Sequence, residues 1–200
     1  MVKIRSSQKL TDLKWLNMFE VAYVDKRGRN RSWQVASRAK EPKCITEQFA
    51  VPDAVVIVPF HSAENKIVIT REYRIALADF EYGFPAGLID AGESIEQASR
   101  RELKEETVLD VTRFTGISPS IYSSAGMSDE SVAMVYVECD GRPSKAGNTG
   151  SEFIEVELVS PARASRMCKN AALKFDAKAW LAISQFAEND AYDKLKSNLR

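Results

Sequence analysis

Residues 87–109, GLIDAGESIEQASRRELKEETVL, decide how this chain is read. A glycine-bearing loop delivers the backbone into a short helix dense in carboxylates. Ser94 has the side chain of an N-cap, and Gln97 three positions later completes a capping box for the free amides of the first turn. The helix is therefore predicted from about Ser94 to about Thr107. At 3.6 residues per turn, Glu102, Glu105 and Glu106 fall within an arc of about 100° and point the same way.

Like charges one turn apart cost a few tenths of a kcal/mol. An acidic run of this kind is most often a solvated helix face. Here the preceding FPAGLIDAG, residues 84–92, is apolar and glycine-containing, so backbone carbonyls can lie beside the acidic face. Clustered carboxylates with a carbonyl are the ligand set of a hard divalent cation, Mg²⁺ first, which keeps several waters in an octahedral shell.

Gly87, Glu93, Arg101, Glu102, Leu103, Glu105, Glu106 and Leu109 together resemble the Nudix box, G-x5-E-x7-R-E-U-x-E-E-x-G-U with U apolar. The resemblance implies an α/β fold, the Nudix-type α/β/α sandwich with a mixed sheet, here preceded by an N-terminal β-hairpin extension. It implies metal ligation by the Ala86 carbonyl, Glu102, Glu105 and Glu106, with Mg²⁺ as the cofactor and Mn²⁺ as the alternative. Glu93 and Arg101 take the place of the pair that fixes the loop of the box against its helix, and with Glu105 they complete the catalytic group. Glu152, in the run SEFIEV of residues 151–156, matches the position of the proton acceptor, with Glu155 as the alternative. Val108 stands where the pattern has its last glycine. A β-branched residue is a poor left-handed helix stop, so a different helix exit is expected.

The likeness extends beyond the box to the ADP-sugar pyrophosphatase branch of that family. Lys14, Trp15, Tyr23, Asp25, Gly28, Arg31, Trp33 and Arg38 resemble its N-terminal β-domain, including the 18-residue separation of the two tryptophans. In that branch the extension is exchanged between two subunits and paired tryptophans enclose the base. By analogy Trp15 and Trp33 bind the base, Arg38 and Arg74 meet the phosphates, and the chain forms a domain-swapped homodimer. Each tryptophan taken alone reads first as a core or hairpin packing residue, and the flanking matches reverse that balance. Gly83 and Ala125 depart from the branch pattern, which has an acidic residue and a proline at these places.

Composition narrows the alternatives. Twenty-eight basic residues balance 28 acidic ones, so the chain lacks the basic excess that nucleic acid or an anionic membrane demands. Three widely spaced cysteines form neither a disulfide framework nor a zinc set, and no stretch has the length and hydropathy of a membrane span, which together point to the cytoplasm. His61 is the only histidine, which excludes a histidine-rich metal site, and its place in the turn HSAEN predicts a solvated loop residue.

Along the chain, residues 1–13 read as a loose polar arm. Two strands follow from Lys14, joined at Asp25–Gly28, and Pro42–Gln48 reads as a linker. Residues 1–48 are thus expected to form the extension, serving dimerisation and base binding, and 49–200 the hydrolase domain. The continuous apolar runs at 53–60 and 66–71 suit strands buried on both faces. Strands are expected at 111–117, 131–138 and 153–159, separated by a small-residue loop at 118–130 and a turn-rich segment at 141–151. Ser160–Pro161 opens one helix and Asp176 caps another, with Ala177, Trp180, Leu181 and Phe186 on or near its apolar face.

The expected activity is Mg²⁺-dependent hydrolysis of ADP-ribose or a related nucleoside diphosphate sugar to a nucleoside monophosphate and a sugar phosphate. The alternatives are the same cleavage of GDP-mannose or another sugar nucleotide and, in a different class, a non-catalytic ADP-ribose sensor.

Overall fold

The computed structural model describes residues 1–144 and 153–189. In chain order the elements are β1 (Lys3–Lys9), β2 (Asn17–Val24), β3 (Asn30–Ser37), α1 (Lys43–Thr46), β4 (Ala54–His61), β5 (Lys66–Arg74), β6 (Asp79–Gly83) and β7 (Ala86–Leu88). They continue with α2 (Ile95–Thr107), β8 (Asp110–Ile117), β9 (Ile121–Tyr122), β10 (Ser131–Asp140), β11 (Ile154–Val159), α3 (Pro161–Cys168) and α4 (Ala177–Asn189). The chain divides into two compact units, one made of Met1–Asp53 with Ser120–Val132, the other of Ala54–Pro119 with Ala133 onward.

The first unit is built on an antiparallel sheet in the order β1-β2-β3. The β2–β3 turn falls where Asp25 and Gly28 predict it. One Asp25 carboxylate oxygen accepts the amides of Arg27 (2.8 Å) and Arg29 (3.0 Å), and Gly28 takes φ +78°. The arm is not loose: residues 3–9 pair with β2 from Lys3↔Val24 to Lys9↔Phe19. What polar composition concealed is that an edge strand needs only backbone partners, and charge along it discourages pairing with other chains. Nor is Pro42–Gln48 a plain linker. It holds α1, whose Lys43 is buried with its ammonium 2.6 Å from Asp53 Oδ2 and 2.7 Å from Ser131 Oγ. The loop at 118–130 contains the short strand β9, which pairs with the start of β10.

The second unit carries the main sheet in the order β11-β5-β4-β10-β8, with β6 on β5 and β7 on β4. Alternation along β4 sends Val55 and Ile57 to one face, where they join Ala98 and Leu103 of α2 and Val135 and Val137 of β10 in one apolar cluster. Val56 and Val58 are also buried, and Phe60, of the same parity, meets Phe186 of α4 edge-on with ring centroids 6.4 Å apart. Both faces of the central strands are therefore covered, as the unbroken apolar runs predict, and the unit is an α/β/α sandwich.

Both C-terminal helices start at their expected caps. Ser160 Oγ accepts the Arg163 amide, and Asp176 Oδ1 accepts those of Lys178 and Ala179. The inward face of α4 differs from the prediction in part: Phe186 is buried as expected, together with Ala179, Ala182 and Ile183, while Ala177, Trp180 and Leu181 are exposed. The small alanines let the helix approach its neighbours closely, and Trp180 and Leu181 fall on its outer side. His61 is likewise no solvated loop residue. It ends β4, is buried, accepts the Glu64 amide at Nδ1 (3.3 Å) and meets the Gly141 carbonyl at Nε2 (2.8 Å).

Candidate active site

Strand β7 holds the glycine loop in place. Its register on β4 runs Ala54↔Leu88, Val55↔Gly87 and Val56↔Ala86, and helix α2 packs over both strands. Gly87 lies under the helix so closely that a Cβ built there would overlap the carboxylate of Glu102. Only a hydrogen at this position lets that carboxylate rest on the strand backbone. Beside it, the Ala86 amide donates to Glu106 Oε1 at 3.4 Å.

The helix begins as its sequence dictates: Ser94 Oγ accepts the Gln97 amide and Gln97 Oε1 accepts the Ser94 amide. Arg101 binds the loop to this first half of the helix. Its Nε and Nη2 reach the two oxygens of Glu93 at 3.0 and 2.8 Å, a bidentate pairing, and Nη2 also donates to the Leu88 carbonyl at 3.0 Å. Glu93 in turn accepts the Asp90 amide at 3.1 Å. The guanidinium holds the Glu93 carboxyl below the usual carboxylate range, so this anchor persists until pH falls through that lowered value.

Arg101 also faces the metal-type carboxylates, with Nη1 2.6 Å from Glu102 and 3.5 Å from Glu105. Burial pushes the Glu102 carboxyl up from its ordinary value, opposed by Arg101, because a charge beside the strand has lost much of its water. The guanidinium thus offsets part of the repulsion that the three glutamates create. Among the described residues no group of three or more acidic, histidine or cysteine side chains converges closely enough to hold an ion as the side chains stand. By donor type the set fits a hard cation: Glu102 and Glu106 present oxygens on the side of α2 that faces residues 86 and 87, with Glu105, the neighbour of Glu106 along the helix, exposed.

The helix exit corrects the expectation for Val108. It takes φ +65° and ψ +4°, the left-handed stop itself, with its amide on the Lys104 carbonyl. What forces the strain is the next residue: Leu109 is fully buried and its amide is held by Thr107 Oγ1 at 3.1 Å. A β-branched residue in this region costs about 1–2 kcal/mol. Val108→Gly is accordingly expected to raise unfolding stability by about 1 kcal/mol, less than the full strain because glycine frees the unfolded chain. Urea unfolding measures it, and an unchanged midpoint would show that the surroundings already relieve the strain.

The remaining predicted residues lie on other elements. Trp33 lies on β3 and Trp15 just before β2, both well exposed, with the Lys14 ammonium 4.3 Å over the Trp15 ring. Arg38 is paired with Glu130 at 2.7 Å in the first unit. In the second, Arg74 is held by Glu72 (2.8 Å) and Glu81 (3.3 Å) on the β5–β6 hairpin. Gly83 ends that hairpin, with Thr70 Oγ1 the nearest neighbour to an added Cβ at 3.7 Å. Glu152 lies outside the described residues. Glu155 is described: it is opposite Arg71 on β5 and bonded to it at 2.8 Å, so this alternative carboxylate is already engaged. Sequence reasoning passed over Asp129, which accepts the Lys43 amide from 86 residues away, since nothing local marks it.

A family profile described as NUDIX domain matches residues 51–182. An ADP-ribose pyrophosphatase of Saccharomyces cerevisiae is 28% identical over 140 residues, covering 70% of this chain and 59% of the yeast protein. An ADP-sugar pyrophosphatase of Mus musculus is 28% identical over 162 residues, covering 76% of this chain and 71% of the mouse protein. The crystal structure of an ADP compounds hydrolase superposes with a TM-score of 0.68 at 18% identity, covering 95% of this chain and 97% of that one. At that identity the superposition speaks for the fold.

Proposed function

The chain belongs to the NUDIX domain family, and on that premise we propose that it hydrolyses the diphosphate bond of ADP-ribose or a related nucleoside diphosphate sugar, releasing a nucleoside monophosphate and a sugar phosphate. The observation that carries the reading is the seat of Glu102 on the bare backbone of Gly87, a contact that excludes every side chain and leaves a carboxylate where a carbonyl can join it.

Family members generally use divalent metal ions, and Mg²⁺ is the cofactor we propose. Glu102, Glu105, Glu106 and the Ala86 carbonyl would hold it; when bound, such a cation neutralises charge on the diphosphate and lowers the pKa of an attacking water. The protein's own contribution is positioning. Arg101 locks Glu93 and the loop to the helix, so that the Ala86 carbonyl and the glutamates keep their mutual geometry. Glu152 is proposed to take the proton from water. Arg38 and Arg74 would meet phosphate oxygens, and Trp15 and Trp33 would stack on the base, exchanged between two subunits of a homodimer. The three free thiols, with Cys139 buried and its pKa pushed up to about 12, suit the reducing cytoplasm.

Incubation with ADP-, GDP- and UDP-sugars and Mg²⁺, with products resolved by chromatography, tests the reading. Nucleoside monophosphate and sugar phosphate from an ADP-sugar are expected. Preference for a GDP-sugar would move the substrate and keep the chemistry, whereas tight ADP-ribose binding without products would make the protein a sensor. A monomeric mass in solution would remove the shared tryptophan site.

A further inference from the structure

The first unit contains a cavity of about 510 Å³ that is built entirely from its own residues. Its floor is one face of the β1-β2-β3 sheet. Val21 lies opposite Trp33 in the β2–β3 register, and Tyr23 and Val35 follow on the same side by alternation. Val2, Ile4, Phe49 and Tyr122 close the rim. Each of these four, and Trp33, leaves more than two fifths of its surface in solvent. Apolar exposure concentrated around one concavity marks a binding site, and this one is of ordinary ligand size.

Two polar side chains, Ser128 and Asp129, stand in this apolar wall. Asp129 Oδ2 accepts the Lys43 amide at 2.8 Å, which orients the carboxylate, and among the described residues nothing donates to Oδ1. Its loop is fastened to the sheet, since the Ala36 amide donates to the Met127 carbonyl at 2.8 Å and the Asp129 amide to the Ala36 carbonyl at 3.3 Å. Ala125, one of the positions that departs from the branch pattern, lines the same wall.

An open tryptophan face beside an oriented carboxylate, in otherwise apolar surroundings, suits a flat heterocycle that carries a hydrogen-bond donor. Stacking alone tolerates any base. We infer that Asp129 is the residue that reads the base: an exocyclic amino group of a purine stacked on Trp33 donates to the Asp129 carboxylate. The inference deepens the proposed function and rests on it, restricting the substrate to adenine or guanine nucleotides over uracil or hypoxanthine ones.

Calorimetric titration of the full chain with nucleotide pairs differing by one amino group tests this without turnover: AMP against purine riboside monophosphate, and GMP against IMP. The amino-bearing member of at least one pair is expected to bind roughly tenfold more tightly, the scale of one hydrogen bond to a charged acceptor in a sheltered site. Asp129→Ala should bring that ratio to about one. Asp129→Asn, whose carbonyl oxygen still accepts the Lys43 amide and so safeguards folding, turns an NH2 donor toward the base and should likewise bring the ratio to about one. Trp33→Phe should weaken both members alike. Equal affinities within both pairs, no binding of any of the four, or a ratio that survives the loss of Asp129 would overturn the assignment. Hydrolysis of ADP-sugars with a ratio indifferent to residue 129 would leave the proposed reaction standing without this reader, whereas amino-dependent binding with no hydrolysis would sink the reaction and keep the reader.

Discussion

Glu106→Gln is expected to lower hydrolysis of the preferred nucleoside diphosphate sugar about a thousandfold, the scale of several kcal/mol of transition-state charge stabilisation. The substitution is chosen for what it keeps. A glutamine carbonyl can still accept the Ala86 amide, which now meets Glu106 Oε1 at 3.4 Å, and the fully buried Leu103 and Thr107 on the same helix are untouched. What is removed is the negative charge beside the loop, together with one acceptor oxygen that becomes an NH2 donor. If the variant folds with a parental thermal midpoint but no longer gains stability from added Mg²⁺, the loss belongs to cation binding. Hydrolysis at the parental rate would mean that the carboxylate faces no reacting phosphate, and the proposed function would fail with it.

Gly87→Ala should disable the same site without adding or removing any charge. The strand cannot retreat, because Gly87 sits opposite Val55 of β4 and that residue is completely buried. Nor can the helix, which is fixed by buried Ala98 and Leu103. The only movable partner is the Glu102 side chain, so the new methyl group displaces its carboxylate into solvent. We expect about a hundredfold loss of kcat and no Mg²⁺-dependent thermal shift, with stability changed by no more than about 1 kcal/mol since a flexible chain end gives way. Because both changes remove the same carboxylate from the same place, the double variant Gly87→Ala/Glu102→Gln should be no worse than either single one. Additive losses would show that the glycine serves something other than seating Glu102.

Those two variants separate layers of information that differ in how they are written in the chain. The carboxylates announce themselves by spacing, but that spacing ranks them equally. The structure does not: Glu102 is nearly buried and pressed on the strand, Glu106 reaches a backbone amide, and Glu105 stands in solvent. Arg101 was legible as the partner of Glu93, eight residues away. Its second contact, to Glu102, follows from the direction in which the packed helix turns its side chains, which no spacing encodes.

What the sequence by itself determined is everything enforced within a few consecutive residues: the Ser94–Gln97 capping box, the starts of α3 and α4, the Asp25–Gly28 turn, and the doubly buried central strands. These are interactions of a residue with its neighbours one to four positions away, or with its own hydration, so the types and their order suffice. Only the tertiary structure decided that Val108 accepts a left-handed backbone, because burying Leu109 outweighs the strain. It alone placed His61 inside and Trp180 outside, paired the polar N-terminal strand, and carried Asp129 across 86 residues to Lys43 beside the cavity. Each of these depends on which distant surface the chain folds against, and that is settled by the balance of packing over the whole unit rather than by any local preference.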